Sequence, residues 1–232
     1  MIILKNSILT PRPLILNQCL ICHNKSSQYP SLCSGCITLL SHAEFNCEKC
    51  GVKLQTNQQT CGACLIKPPH FNHTSYICEY QPPIDKWVMA LKFGQKILFS
   101  KLMAELMLPF INKELSHFVL MPVPLHKARL RKRGYNQAYE IAKELALLSG
   151  RELVTSLLRH KNTEMQAQLK FKQRAKNVKN AFTIKQGLSH QHIILIDDVM
   201  TSGNTLNECA KVLKKAGAQE VKVLVFARKS IL

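Results

Sequence analysis

The feature that most constrains this chain is a thirteen-residue run near the C-terminus, Ile193-Ile194-Leu195-Ile196-Asp197-Asp198-Val199-Met200-Thr201-Ser202-Gly203-Asn204-Thr205. Its apolar part reads as a strand buried on both faces. The strand leads into two adjacent carboxylates and then into a turn of small residues that opens a helix. Small side chains let backbone N–H groups approach an anion at a helix N-terminus, where the dipole favours negative charge. The hydroxyls of Thr201, Ser202 and Thr205 add donors. Asp197 and Asp198 stand just before this cradle and can accept hydrogen bonds from sugar hydroxyls. The combination suits a ribose 5-phosphate.

All thirteen residues resemble the 5-phosphoribosyl-1-pyrophosphate (PRPP) binding motif of type I phosphoribosyltransferases. The resemblance implies that Asp197 and Asp198 hold the ribose hydroxyls at a catalytic centre. It also implies that Thr201, Ser202, Gly203, Asn204 and Thr205 hold the 5-phosphate, with Mg²⁺ accompanying PRPP. The plainer alternative is a buried strand with an acidic end and an N-capped helix.

Charge adds a second constraint. The net charge is +18 across 232 residues, and it is uneven. Residues 1–75 hold six Lys/Arg against two Asp/Glu, whereas the remainder holds 26 against twelve. The stretch between Glu114 and Glu140 has no acidic side chain but carries Lys127, Arg129, Arg131, Lys132 and Arg133. The stretch between Glu164 and Asp197 is likewise acid-free and holds Lys170, Lys172, Arg174, Lys176, Lys179 and Lys185. Such segments point to a polyanion, with nucleic acid as the natural candidate and a multiply charged phosphate ligand as the alternative. Aromatic platforms for base stacking are few at 6%. Tyr29, Phe45, Phe71 and Tyr135 are candidates that could equally be packing residues. No apolar run approaches membrane-span length. Pro11, Arg12 and Pro13 interrupt the N-terminal apolar stretch, which therefore does not read as a secretory signal. A cytoplasmic location is expected, with peripheral attachment at the inner membrane as the limit.

Eight of the ten cysteines form four Cys-x-x-Cys pairs: Cys19/Cys22, Cys33/Cys36, Cys47/Cys50 and Cys61/Cys64. Each Cys-x-x-Cys turn aims two thiolates at one metal, and two turns complete a tetrahedral zinc site. Two structural four-cysteine Zn²⁺ sites are expected, because a reducing compartment disfavours disulfides. Sequential pairing is preferred, and interleaved pairing stays open. This stretch is poor in large apolar side chains, so metal binding would supply much of its folding energy. His23, His42, His70 and His73 are expected at the surface, and Cys78 and Cys209 as ordinary buried cysteines.

Pro68-Pro69 and Pro82-Pro83 mark the way out of the cysteine module. Residues 1–70 are assigned to a double zinc ribbon and residues 71–232 to an α/β domain. Ser75–Tyr80, Phe118–Val123 and Val221–Phe226 read as strands. Ile84–Ile111, with Gly94 as a break, Tyr135–Leu148 and Asn204–Ala216 read as helices. This alternation implies a parallel sheet flanked by helices, with the ligand at the carboxyl ends of the strands.

Three further segments then fall into place. They are Met121-Pro122-Val123-Pro124-Leu125-His126, Arg131-Lys132-Arg133-Gly134-Tyr135-Asn136-Gln137-Ala138, and a series running from Arg159 through Thr163, Gln166, Leu169, Arg174 and Asn177 to Phe182. Together with the cysteine ladder and the phosphate loop, they resemble the ComF (ComFC) family over about Cys19 to Arg228. The resemblance implies a type I phosphoribosyltransferase-like fold in which a zinc module replaces the usual substrate hood. It further implies a competence factor for natural transformation that binds single-stranded DNA and works with uptake machinery such as a translocating helicase. Pro122, Val123 and Pro124 would correspond to the pyrophosphate-side loop. Arg131, Lys132, Arg133 and Asn136 would contact nucleic-acid or ligand phosphates. Arg159 would open a mobile catalytic loop reaching Gln168. Two alternatives are an active phosphoribosyltransferase in nucleotide salvage or metabolism, as relatives called GntX leave open, and a zinc-ribbon scaffold with a vestigial transferase site.

Overall fold

The computed structural model describes residues 18–25, 32–40, 43–93, 97–111, 115–162, 178–185 and 187–229. Four parallel strands make the central sheet, in the order β1 (His73–Glu79), β6 (Glu220–Arg228), β5 (His192–Met200) and β2 (Val119–Pro122). The backbone at Leu153 bridges Leu120 in parallel and extends the sheet past β2. The apolar run in β5 is explained by alternation. Ile194 and Ile196 join one buried cluster, and Ile193 and Leu195 join another on the opposite face.

On the first face lie helices α3 (Ile84–Phe93), α4 (Leu98–Met107) and α6 (Gln137–Ser149). Their apolar stripes, including Trp87, Leu91, Leu102, Met103, Ile141 and Leu145, cover Leu120, Ile194 and Phe226. The stretch Ile84–Ile111, expected to be helical with a break at Gly94, holds α3, α4 and a 3-10 turn at Leu108–Phe110; Gly94 itself lies outside the described residues. The second face is closed by α7 (Asn204–Lys215) through Leu206, Cys209, Ala210 and Leu213. An antiparallel pair, β3 (Leu157–Arg159) with β4 (Phe182–Ile184), packs beside them. Burying each Leu in this layer stabilises by about 1.5–3 kcal/mol. Cys78 and Cys209 are fully buried, as expected.

The eight ladder cysteines form two copies of one ribbon. In the first, Cys19 N–H bonds the Asn24 carbonyl and Gln18 bridges Lys25; in the second, Cys47 N–H bonds Val52 and Asn46 bridges Lys53. Each ribbon then adds a short helix, α1 (Ser34–Ile37) or α2 (Gly62–Ile66), with Cys33 or Cys61 in the N-cap position. The tight first turn requires a left-handed residue, which is His23 at φ 60° in one copy and Gly51 at φ 66° in the other.

Candidate functional site

At the carboxyl end of β5 the chain enters a cleft of about 440 Å³. Strand alternation separates the two acids. Asp198 continues the face of Ile194 and Ile196, and its Oδ2 lies 2.7 Å from the Nζ of Lys92 on α3. Asp197 continues the other face, toward α7 and Arg159 at the end of β3. Burial, and next the charge of Asp198, push the Asp197 carboxyl up to about 8, partly opposed by Lys92. Backbone N–H groups hold the turn: Asp198 N–H donates to Asp197 Oδ1 at 2.9 Å and Val199 N–H to Asp198 Oδ1 at 2.8 Å.

The following loop depends on Gly203. It is the N-cap of α7 with φ 74°, and a Cβ there would sit 2.6 Å from Met200 Cε. Only glycine adopts this backbone without strain, and α7 starts at the cleft with the Asn204 N–H donating to Ser202 Oγ at 3.5 Å. Thr201, Gly203 and Thr205 line the cleft wall.

Opposite, β2 ends in the Pro122-Val123-Pro124 turn, where Val123 N–H donates to Ile196 O at 2.9 Å. Val123 and Pro124 line the cleft. Asn136 also lines it, and its amide has local roles: Nδ2 donates to Val123 O at 3.0 Å, and Oδ1 caps α6 at Ala138 N–H. Of the basic cluster, Arg131 and Lys132 face solvent on α5 (Lys127–Arg133), whereas Arg133 lines the cleft. Arg133 donates to Gln137 and lies 5.1 Å above the Phe93 ring. Arg159 is 8% exposed and lies over Phe182; burial, then Arg129, lower its pKa. Thr163, Gln166, Leu169, Arg174 and Asn177 lie outside the described residues, as do Tyr29 and His42.

Lys92 and Lys229 also line the cleft, outside every motif, as does Arg129 from the acid-free basic stretch. The isolated Lys92 carries no motif, whereas the acid-free segment around Arg129 was a usable signal. Of the described stacking candidates, Phe71 is buried, Phe45 is half-buried against the second ribbon core, and half-buried Tyr135 donates through Oη to the Leu91 carbonyl. The ring exposed at the cleft is Phe93, at 56%, beside Met89.

The structure brings the cysteines together sequentially. The four sulfurs of Cys19, Cys22, Cys33 and Cys36, and those of Cys47, Cys50, Cys61 and Cys64, each lie within 4.8 Å of one another. This donor set fits Zn²⁺. Burial raises Cys19, but N–H groups of Cys22, Cys33 and Ile21 outweigh it and bring the thiol down to about 6, while burial and Cys19 push Cys36 up. Four thiols this close cannot all ionise without a cation among them, and a divalent metal removes that conflict.

The fold and site define a phosphoribosyltransferase-like protein carrying two four-cysteine ribbons, and residues 130–231 match the phosphoribosyl transferase domain family. The chain belongs to the ComF family of competence proteins. It is 34% identical to Competence protein F of Haemophilus influenzae, over 85% of this chain and 90% of that one. It is 29% identical to DNA utilization protein YhgH of Escherichia coli K12, with the same coverage. It is 28% identical to Competence protein ComFC of Streptococcus pneumoniae, over 85% and 87%. Among solved structures, a purine phosphoribosyltransferase from Pyrococcus horikoshii Ot3 matches at 13% identity and a TM-score of 0.31, covering 68% of this chain and 87% of that one. No helix among the described residues is long and apolar enough to cross a membrane.

Proposed function

We propose that this chain is a DNA-uptake factor that binds PRPP–Mg²⁺ in the cleft and single-stranded DNA along the adjoining basic face. One juxtaposition carries the reading: an adjacent acid pair and a glycine-capped helix N-terminus share a cleft with Lys92, Arg129, Arg133, Arg159 and Lys229. Carboxylates suit ribose hydroxyls, while the loop and cations suit the 5-phosphate and pyrophosphate. Mg²⁺ would be held mainly by ligand oxygens and water. Arg131 and Lys132, exposed on α5 beside the cleft, would meet the DNA backbone. The names of the competence and DNA utilization relatives agree with such a role.

The test is isothermal titration of zinc-loaded protein with PRPP and Mg²⁺, beside an Asp197→Asn/Asp198→Asn variant. Binding that the variant loses supports the reading; no binding to wild type sinks it. A second reading, transfer of ribose 5-phosphate to a base, gains support from the wall of Tyr80, Met89 and Phe93 beside the acids. Pyrophosphate release that requires a particular base would establish it.

A further inference from the structure

Arg228, the last residue of β6, is 3% exposed. None of the ion pairs among the described residues involves it. Its Nε donates to the carbonyl of Cys50, a member of the second cysteine set, at 2.9 Å. Its Nη1 donates to the carbonyls of Met200 at 3.2 Å, Thr201 at 2.5 Å and Lys229. One guanidinium therefore joins a metal-site turn to the first residues of the phosphate loop. The turn is also tied to β1, because Thr74 N–H and Oγ1 donate to the carbonyls of Glu48 and Lys49 at 3.0 and 2.7 Å. Gly51 lies against the Tyr76 ring, where a Cβ would be 3.2 Å from Cδ1. The corresponding cysteine of the first ribbon, Cys22, is exposed. Four thiolates around a divalent ion leave a net negative charge, and Arg228 supplies a buried cation next to it.

We propose that Arg228 is a positioning residue that makes the conformation of the phosphate loop depend on metal in the second four-cysteine site. Metal adds to the Thr74 contacts by drawing the thiolates of this turn together, and so fixes where the Cys50 carbonyl stands. When it moves, the rigid planar fork of the guanidinium cannot satisfy both sides, and the loop carbonyls lose their donor. The ligand arm of the test rests on the ribose-phosphate reading above; the exchange arm does not.

The experiment compares full-length wild type with three variants: Cys61→Ser/Cys64→Ser, Cys33→Ser/Cys36→Ser and Arg228→Lys. A fourth combines Arg228→Lys with the second-site lesion. Zinc content is measured in each. Amide exchange is followed across Val199–Leu206, with α6 as control, and affinity is measured for inorganic pyrophosphate. Losing the second site is expected to raise loop exchange about tenfold with α6 unchanged, and to weaken pyrophosphate to a similar degree. Losing the first site lowers global stability but leaves loop exchange, which proceeds through local opening of a folded protein, near wild type. Arg228→Lys reproduces the second-site effect, and the combination adds little to either. Equal loop exchange from both lesions, a rise that extends equally to α6, or additive effects in the combination each overturn the proposal. A loop rise confined to the second lesion, without pyrophosphate binding, upholds the coupling and removes the ligand reading. Pyrophosphate binding indifferent to the second site does the reverse.

Discussion

The two ribbons are alike within and different without. Each repeats the same turn and places its middle cysteine sulfurs a similar distance apart, 3.6 Å for Cys22 and Cys33 and 3.7 Å for Cys50 and Cys61. Yet Cys19, Leu32 and Cys36 of the first pack into the cluster that contains Trp87 and Phe226, so that ribbon is part of the sheet's own core. The second keeps a small core of Cys47, Leu54 and Cys64 and meets the sheet through hydrogen bonds at Thr74 and Arg228, with Cys50 and Gly51 packed against the other face's cluster. The same local fold thus meets two different surroundings, and metal bound in each copy would hold a different part of the molecule in place.

The largest expected effects test this division directly. Cys33→Ser/Cys36→Ser should lower global stability by several kcal/mol, since it removes metal folding energy from the main core. The second-site lesion should cost less in thermal unfolding but more in ligand affinity. Calorimetry beside titration would break the comparison if both lesions behaved alike. Next comes Gly203→Ala. The left-handed backbone should cost about 1–2 kcal/mol, and displacing Met200 would disturb the loop. Chemical denaturation measures the first effect and PRPP titration the second.

A smaller effect concerns pH. Asp197 has its carboxyl raised in the folded state, so the native protein binds more protons than the unfolded chain between the ordinary carboxylate range and about 8. That contribution to stability is present at low pH and is lost as pH rises through this window. PRPP–Mg²⁺ affinity, which requires the charged form, should rise across the same window. Lys92→Met removes the cation paired with Asp198 and should move both midpoints upward, as titrations at stepped pH would reveal. If the midpoints stay fixed, Lys92 does not set the charge of the pair. The smallest effect is that of Arg131→Ala/Lys132→Ala. It should leave PRPP binding intact while flattening the salt dependence of single-stranded DNA binding by about one per phosphate contact, measured by fluorescence anisotropy.

Much of this architecture is legible in the sequence, because its signals are local. The apolar stretch of β5 announced a strand covered on both faces, and the Cys-x-x-Cys rhythm announced two sites, though only the fold chose sequential pairing. Gly134 and Gly150 mark helix ends through left-handed backbones, but the run before Gly134 is mostly basic, so the short helix α5 has no apolar stripe to announce it. What escaped was non-local. Lys92 pairs with an acid on another element, and Arg228 reaches Cys50 across 178 residues, so no window around either carries a trace of its partner. Arg228 also sits at the end of an apolar strand, where a charged residue reads as the exit to solvent.

The most direct test of the central claim is amide exchange of zinc-loaded protein across Val199–Leu206, with and without PRPP–Mg²⁺. Adding ligand should strongly protect the Gly203–Leu206 amides, and Asp197→Asn/Asp198→Asn should abolish that protection. Unchanged exchange at saturating PRPP, or equal protection in the variant, would contradict a ribose-phosphate site in this cleft.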